Sequence, residues 1–507
     1  MTTALGQPTV LTRSIDLKKE PEEVFALLAR RPGCFFLDSA LSNHELSRFS
    51  YLGSDPIYSI RSRGQVMDIV DGKTVRHRKG DPLAALQEAL QRFHVPSGSP
   101  LVPFIGGGVG YLSYELGRLT MGMPLTAPDD LGLPELSVNF DKRLLAYDHA
   151  ERRWFATAAD FSGGRGTAVR KRLGVEIDKL AALAAGHDKD AAPAREPAHA
   201  AHAASDARVD GIDDMPPVPE TAPFTDGPYP YRSTLTREQY LAAVTRIKEH
   251  IARGDIYQAN FTQRLKARLP SSPAELYLAL RRVSPGPYGC YLNMGDCIIA
   301  GQSPELLLSQ RGRRIETRPI KGTRPRGATP DEDARLAAEL SDSAKDRAEL
   351  VMITDLERND FGRVCRPGSV EVTDTVRLET FPKVHHLLSV VRGELAPGAG
   401  LPETLRAIFP GGSITGAPKR RAMEIIDALE PVARGPYTGG IGLFGFDGVV
   451  DLNVGIRTFV IRGEDVYFGA GGGIVADSDP EAEYAESLTK AQGMLEALAA
   501  AAAARPA

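Results

Sequence analysis

Short alternating runs of hydrophobic and polar residues dominate the first part of the chain and predict β-strands. The runs at residues 34–39 and 49–53 each end at turn residues. Before residue 185 the hydrophobic period lengthens to that of a helix, with one stripe formed by Val169, Leu173, Ile177 and Leu180. We therefore predict a strand-rich N-terminal domain over residues 1–185.

Residues 186–230 differ in kind from the sequence around them. They consist mostly of Ala, Asp, His and Pro and contain almost no large apolar residue before Phe224. Such a composition predicts a disordered linker. Three histidines lie in it (His187, His199 and His202), which leaves metal binding as an alternative to a solvated segment.

A regular pattern returns at Thr236, where Thr-Arg-Glu-Gln has the form of a capping box at the start of a helix. This helix is expected to end at Gly254, and residues 257–269 then alternate as in a half-buried strand. Strands and helices continue without regular βαβ repetition, which favours an α+β fold of large antiparallel sheets with helices packed outside. We predict a second domain over residues 231–498 and a flexible Ala-rich tail over 499–507.

Composition indicates a globular protein with ample core, since 42% of the 507 residues are hydrophobic and 25% are charged. The formal net charge of -4 supplies no global positive field for nucleic acid or an acidic membrane. Residues 1–13 lack the apolar run of a signal peptide, and no stretch has the roughly 18 to 20 apolar residues that span a bilayer. The 4 cysteines lack metal-ligand or redox spacing. We therefore predict a cytoplasmic protein whose cysteines are core residues.

The most basic stretch covers residues 316–327, and its cations are Arg318, Lys321, Arg324 and Arg326. Pro and Gly interrupt it as they would interrupt a loop. A lysine amine in such a loop can approach an anionic ligand while arginines hold carboxylates. Taken alone, a solvated basic loop or a weak nucleic-acid patch explains the stretch at least as well.

Acidic side chains in the C-terminal half predict a cation site. Glu483, Glu486 and Lys490 share one face of the helix that begins after Asp479-Pro480. Two carboxylates on one face repel each other unless a cation neutralises them, and Mg²⁺ takes oxygen ligands. A solvent-facing Glu/Lys ladder is the alternative. Glu349 and Glu305 each adjoin an apolar run, where an unpaired carboxylate is costly.

Two glycine-containing segments can bind anions. Residues 469–474 can offer backbone N–H groups, although they could equally form a tight turn, and residues 409–419 lead into a helix N-terminus. Together with the basic stretch and the carboxylates, these segments indicate a Mg²⁺-dependent enzyme for a small polycarboxylate.

The amino-acid sequences of these segments, and their order along the chain, resemble the motifs of the chorismate-utilising enzymes. The motifs that carry the resemblance are GDIYQAN at 254–260, TRPIKGTRPR at 317–326, DRAE at 346–349, DLERND at 355–360, GGSITGAPK at 411–419 and GGGIVADSDP at 471–480. Looser matches at residues 37–39 and 110–118 extend it to the N-terminal domain. The resemblance implies an α+β fold like that of anthranilate synthase component I, in which large antiparallel sheets form a sandwich.

Position 321 distinguishes two branches of that family. Anthranilate synthases typically have alanine there, whereas aminodeoxychorismate synthases have the lysine that this chain has. In the second branch the lysine attacks C2 of chorismate and expels the C4 hydroxyl, and ammonia then attacks C4 and releases the lysine. A lysine with an ordinary pKa of about 10.4 would need nearby arginines and partial burial to lower its pKa. The resemblance therefore implies C4 amination of chorismate for 4-aminobenzoate and folate synthesis.

The resemblance also implies roles for individual residues. Lys321 is the nucleophile, Glu305 a general acid, and His386 rather than His385 the active-site histidine. The Mg²⁺ ligands are Glu349 and Glu486, with Glu483 in support. The residues that hold the substrate carboxylates are Thr415, Tyr437, Arg457, Gly471, Gly472, Gly473 and Lys490. A core role remains an alternative for His386 and Tyr437.

Leu37, Asp38 and Ser39 match the place of a tryptophan pocket in the family's first domain. The family takes ammonia from a separate glutamine amidotransferase subunit. This chain shows neither a glutaminase signature nor a fused lyase, so we expect a partner subunit and a separate lyase.

Two alternatives to this function stay open. One is anthranilate synthesis for tryptophan, against which Lys321 argues. The other is a catalytically silent amino-acid-binding subunit, against which the clustered glutamates argue.

Overall fold

The computed structural model describes residues 8–39, 41, 48–96, 98–164, 166–187 and 227–504. Within these residues the strands are β1 Thr9–Ile15, β2 Phe35–Asp38, β3 Phe49–Gly53, β4 Tyr58–Arg63, β5 Val66–Asp71, β6 Thr74–Lys79, β7 Gly107–Leu112, β8 Leu136–Asp141, β9 Arg143–Asp148, β10 Arg153–Asp160, β11 Arg232–Ser233, β12 Gln258–Arg268, β13 Tyr288–Asn293, β14 Ile298–Ser303, β15 Leu306–Arg311, β16 Arg314–Arg318, β17 Ile320–Pro325, β18 Glu371–Thr380, β19 Val384–Glu394, β20 Gly416–Ala417, β21 Gly440–Gly445, β22 Val450–Val454, β23 Thr458–Arg462 and β24 Asp465–Ile474. The helices are α1 Pro21–Leu28, α2 Pro82–Arg92, α3 Gly117–Met121, α4 Thr167–Ala185, α5 Arg237–Ala252, α6 Pro273–Val283, α7 Pro330–Asp342, α8 Ala344–Gly362, α9 Leu401–Ile408, α10 Lys419–Leu429 and α11 Pro480–Ala503.

The strands form two antiparallel sheets of 12 strands each. The first has the order β1-β10-β9-β3-β2-β13-β14-β23-β24-β12-β11, with β20 beside β12. The second has the order β17-β19-β16-β15-β22-β21-β7-β8-β4-β5-β6, with β18 beside β19. One apolar core contains Phe35 and Ile299 of the first sheet together with Ile60 and Leu308 of the second, so the sheets face each other. The α+β prediction is confirmed.

Both halves of the chain contribute strands to both sheets. In the first sheet β2 pairs with β13, where Leu37 faces Cys290. In the second, β7 pairs with β21, where Gly110 faces Gly442. At Gly110 a Cβ would lie 2.0 Å from the carbonyl oxygen of Ser137, so this close approach of strands requires glycine. The two segments that the sequence separates near residue 185 therefore do not form separate sheets, because each sheet contains strands of both.

The predicted helix starts are confirmed. The Thr236 hydroxyl accepts from the backbone N–H of Gln239, whose side chain accepts from the backbone N–H of Thr236, which completes the capping box of α5. Asp479 caps α11 by accepting from Ala482 at 2.9 Å. Of the predicted linker, Gly186 ends α4 in a left-handed conformation, and residues 188–226 lie outside the described residues.

The predicted flexible tail is instead helical as far as Ala503. Ala497, Leu498 and Ala501 are buried in the core cluster that α11 shares with α6, and this burial holds the last turns in place. Residues 505–507 lie outside the described residues. The four cysteines are free and buried, as predicted. No helix in the described ranges is long and apolar enough to cross a membrane.

Candidate active site

The basic stretch forms two strands rather than the expected loop. Residues 316–327 run through the end of β16 and along β17, with Pro319 between them. Ile315 and Thr317 are buried while Glu316 and Arg318 are less so, which is the period of two that a strand requires. β17 lies at the end of the second sheet and pairs with β19. A strand of the sheet, and not a loop, therefore carries Lys321, next to an irregularity in the pairing with β19.

The arginines of this stretch pair with carboxylates of the protein itself. Arg318 lies 2.6 Å from Glu316, and Arg326 lies 2.7 Å from Asp333. Arg324 pairs with Glu339 at 2.9 Å. The expectation that these arginines hold substrate carboxylates is not supported, because each already has a partner that sequence spacing alone did not reveal.

Lys321 points to carboxylates. Its Nζ lies 3.0 Å from Oε1 of Glu349 on α8 and donates to the carbonyl oxygen of Ser413 at 3.3 Å. Burial lowers the pKa of Lys321, but the charges of Glu349, Glu305 and Glu486 outweigh it and raise the pKa above its ordinary value. Glutamates, and not the arginines that would have to lower this pKa, supply the main charges around the amine.

Glu305 lies between β14 and β15, and its side chain is buried. Burial raises the pKa of Glu305 to about 7, although the Ser413 hydroxyl and Lys321 act in the opposite direction. A carboxyl with this pKa holds its proton in a large share of molecules at neutral pH. Glu305 can therefore donate a proton to a leaving group.

A second buried carboxyl, Glu357 on α8, escaped the sequence analysis. Burial and the charge of Glu305 raise its pKa to about 8, and the Thr317 hydroxyl lies 2.9 Å from Glu357. The helical period offered a signal for it, since Glu357 shares the buried stripe of α8 with Leu350, Ile353 and Phe361, beside the buried Thr354 and Asp360.

His386 on β19 is buried and neutral. Its Nδ1 lies 2.9 Å from the Thr323 hydroxyl and 3.3 Å from the carbonyl oxygen of Gly322. Because a carbonyl can only accept, the proton is assigned to Nδ1, which leaves Nε2 as an acceptor. Burial, and then Arg457, lower the pKa of His386 to about 3. His385 points elsewhere and binds Asp333 and Thr380.

Three glutamates gather along the glycines of β24. A Cβ at Gly472 would lie 3.3 Å from a carboxylate oxygen of Glu483 and 3.7 Å from one of Glu486. At Gly473 it would lie 2.7 Å from Glu349. Glycine at these two positions thus gives the carboxylates room beside the strand.

The donor set fits Mg²⁺. In the described ranges no three His, Cys, Asp or Glu side chains converge into a complete metal site. Mg²⁺, however, usually takes one or two carboxylates and completes its shell with water and substrate oxygens. Glu483 and Glu486 lie beside Gly472 and Glu349 lies beside Gly473, so carboxylate oxygens line neighbouring positions of β24, while Glu349 and Glu486 pair with Lys321 and Lys490.

Arg457 supplies a cation without a carboxylate partner. No carboxylate of the described chain pairs with it, and burial lowers its pKa. Its φ of 50° is a left-handed conformation that a non-glycine residue adopts at a cost. The charge of Arg457 acts on His386, which places the two side chains in one site. The Arg457 guanidinium is therefore available to an anion near His386.

The other predicted ligand-binding residues are held in different ways. The ring of Tyr437 packs flat on Gly469, where a Cβ would lie 2.3 Å from it. Lys490 donates to the Gly471 carbonyl at 3.1 Å and pairs with Glu486 at 2.7 Å. The Thr415 hydroxyl donates to Gly411 at 2.8 Å and is therefore occupied within its own loop.

Gln258 is a candidate ligand-binding residue that the sequence analysis missed. It is fully buried, and its Nε2 donates to Glu349 at 3.3 Å. The predicted alternation is confirmed over residues 264–268 of β12 but not at its start, where the polar residues Gln258, Asn260 and Thr262 are also buried and Tyr257 is 72% exposed. Gln258 Oε1 and His386 Nε2 lack protein partners in the described structure. Buried polar atoms are nearly always bonded to protein or water, so these two atoms are available to a ligand or to water.

Leu37, Asp38 and Ser39 lie elsewhere, on and just after β2 of the first sheet. The Asp38 carboxylate accepts from Arg281 at 2.6 Å and from Tyr277 at 3.1 Å. The Ser39 hydroxyl donates to the Phe49 carbonyl at 2.7 Å. The structure therefore does not bring these residues together with Lys321.

Comparison with known proteins identifies the family. A family profile described as chorismate binding enzyme matches residues 33–496. Anthranilate synthase component 1 1 of Haloarcula marismortui is 42% identical over 428 residues, which cover 84% of this chain and 83% of that protein. Aminodeoxychorismate synthase component 1 of Bacillus subtilis is 38% identical over 452 residues, which cover 89% of each.

Solved structures of related enzymes have the same fold as this chain. Anthranilate synthase component I of Streptococcus pneumoniae superposes with a TM-score of 0.71 at 28% identity, over 90% of this chain and 93% of that one. The menaquinone-specific isochorismate synthase of Escherichia coli shares the fold, with a TM-score of 0.66 at 16% identity over 98% of this chain and 96% of that one. The chain belongs to the chorismate-binding enzymes of the anthranilate synthase component I and aminodeoxychorismate synthase family.

Proposed function

We propose that this enzyme aminates chorismate at C4 to give 4-amino-4-deoxychorismate, for 4-aminobenzoate and folate synthesis. The observation that carries the proposal is the cluster of Lys321, Glu349 and the proton-holding Glu305. A nucleophilic amine and a carboxylic acid beside it are what displacement of a ring hydroxyl needs.

The reaction uses these groups in order. Lys321 first releases one proton to water and recovers it when the C2–N bond breaks at the end of the cycle. Its nitrogen then bonds to C2, the ring double bonds shift, and the C4–O bond breaks as Glu305 donates a proton to form water. Ammonia then bonds to C4 as the double bonds shift back. The C2–N bond breaks and returns its electron pair to Lys321. The Glu305 carboxylate takes one proton from the entering ammonia and is ready again.

Other residues hold the substrate. Arg457 pairs with a substrate carboxylate, and the free Nε2 of His386 accepts from a substrate hydroxyl. Glu349, Glu483 and Glu486 would hold Mg²⁺, which supplies positive charge to a substrate carboxylate. Ammonia comes from a glutamine amidotransferase subunit.

We also propose a tryptophan pocket at Leu37, Asp38 and Ser39, although Asp38 and Ser39 already have protein partners.

Anthranilate synthesis is the second candidate, and one observation favours it. Lys321 is held as an ammonium ion by Glu349, which suits a spectator cation better than a nucleophile. Relatives named for either activity match the chain. In this alternative ammonia adds at C2 and Lys321 forms no bond.

Replacing the lysine separates the two. Lys321→Ala should lower C4 amination by about 10³-fold or more, since no other amine replaces the nucleophile. Lys179→Ala, which removes an exposed lysine of α4, is the control and should retain activity. Incubation of the wild type with chorismate and Mg²⁺ without ammonia should add mass to the peptide that contains Lys321. Unchanged product formation by Lys321→Ala would show that Lys321 is not the nucleophile.

A further inference from the structure

Arg434, in the loop after α10, is a buried cation that the reaction above does not use. All five of its N–H donors have acceptors. Nε donates to Glu430 at 2.8 Å, and Nη1 donates to the Ile414 carbonyl at 2.8 Å and to the Thr438 hydroxyl at 3.4 Å. Nη2 donates to the Asn260 carbonyl at 2.6 Å and to Glu430 at 2.7 Å. The Tyr114 ring lies 4.5 Å from the guanidinium.

These acceptors belong to three separate segments of the active site. Ile414 follows Ser413, whose carbonyl oxygen accepts from Lys321. Asn260 lies on β12 two residues from Gln258, on the same face of the strand. Thr438 follows Tyr437 and has a left-handed φ of 59°. One planar group therefore joins the backbone beside the lysine, the strand of Gln258 and the loop of Tyr437.

Glu430 anchors this group independently. Its Oε1 also accepts from the backbone N–H and the hydroxyl of Thr262, each at 2.9 Å. The carboxylate is therefore fixed to β12, and it holds the guanidinium at a set angle. A lysine has three donors and no plane, so it cannot reproduce this arrangement.

We propose that Arg434 is a positioning residue that fixes these three segments relative to one another, and with them the Ser413 carbonyl that accepts from Lys321. The proposal rests on the function proposed above, since it concerns the same site. A misplacement of about 1 Å in a reacting group can cost about 10²-fold in rate.

The experiment compares Arg434→Lys and Arg434→Met with Arg143→Met. Arg143 is a matched control because it is a largely buried arginine on β9 that pairs with Glu176 and Asp55 and belongs to none of the three segments. Chorismate consumption with Mg²⁺ and ammonium is measured per folded molecule, together with Tm. The Arg434 variants should lose about 10²-fold in kcat with KM for chorismate within about threefold, while Arg143→Met keeps kcat within about twofold.

A second variant and the choice of readout complete the experiment. Should the Arg434 variants not fold, Glu430→Gln weakens the hold on the guanidinium without removing it, and kcat should fall about tenfold. Unchanged kcat per folded molecule, with a loss of Tm alone, would overturn the positioning role. Because the assay follows chorismate rather than one product, formation of anthranilate would overturn the proposed function and leave the result for Arg434 standing.

Discussion

The ammonium nitrogen of Lys321 lies 3.0 Å from a carboxylate oxygen of Glu349, across the gap between strand β17 and helix α8. This pair raises the pKa of the lysine against the effect of burial. A nucleophile held in this way must lose its proton before it attacks. Glu349 therefore has two assignments in our proposal, as the partner of the ammonium ion at rest and as an oxygen ligand for Mg²⁺.

Removal of the proton from Glu305 should stop the reaction. Glu305→Gln keeps the shape but has no acidic proton, so we expect kcat to fall by about 10²- to 10⁴-fold. In the wild type, the required acid form disappears as the pH rises through about 7, so kcat/KM should decline on the alkaline side of that pH. The control is Glu316→Gln, whose carboxylate pairs with Arg318 and Arg392 on the outside of the sheet. A Glu305→Gln enzyme with nearly normal kcat would contradict the role of general acid.

We expect Arg457 to lower the stability of the free protein and to strengthen the binding of chorismate. Arg457→Met removes a desolvated cation that has no carboxylate partner, so the Tm of the free protein should rise. The same change should raise KM for chorismate by about 10- to 100-fold, because a charge-assisted pair with the substrate is lost. Thermal unfolding and steady-state kinetics measure the two effects. Arg462→Met, at the exposed end of β23, should change neither. A lower Tm with unchanged KM would mean that Arg457 is a structural residue.

The Mg²⁺ requirement should depend on Glu486. Glu486→Gln replaces an anionic oxygen by a weaker neutral one, so the Mg²⁺ concentration for half-maximal activity should rise about tenfold or more. Glu496→Gln, on the same helix and bonded to Gln492, provides the comparison. Identical Mg²⁺ titrations of both variants would remove Glu486 from the ligand set.

Glu357 should make stability depend on pH. Its pKa of about 8 in the folded protein, against an ordinary value of 4.5, means that the native state keeps a proton that the unfolded chain releases. The free energy of unfolding should therefore fall as the pH rises from about 4.5 to 8, by up to about 1.4 kcal/mol per pH unit. Glu357→Gln has no proton to lose, so its Tm should decline less steeply from pH 5 to 8. Glu424→Gln, on the exposed face of α10, should keep the wild-type slope.

Local features of the fold could be predicted from the sequence. The cap of α5 at Thr236 and the cap of α11 at Asp479 depend on residues three positions apart, which the sequence places side by side. The buried stripe of α4 follows from its helical period. The resemblance pointed to Lys321, Glu305 and Glu349, which the structure brings into one cluster from β17, the turn before β15, and α8.

Contacts between distant segments could not be predicted in this way. The direction of the pKa shift of Lys321 depends on Glu349, which comes from another element, and no local pattern reports that distance. Gln258 looked like the outer face of a half-buried strand because polar residues that line a site and polar residues that face water follow the same period. The five partners of Arg434 include atoms of residues 260 and 414, far apart in sequence.

The identity of the product tests the central claim most directly. The wild-type protein is incubated with chorismate, Mg²⁺ and ammonium, with and without added aminodeoxychorismate lyase. Our account predicts that 4-aminobenzoate forms and that its formation depends on the lyase, since C4 amination leaves the enolpyruvyl group in place. Fluorescent anthranilate formed without the lyase would contradict the account and assign Lys321 to a role without bond formation.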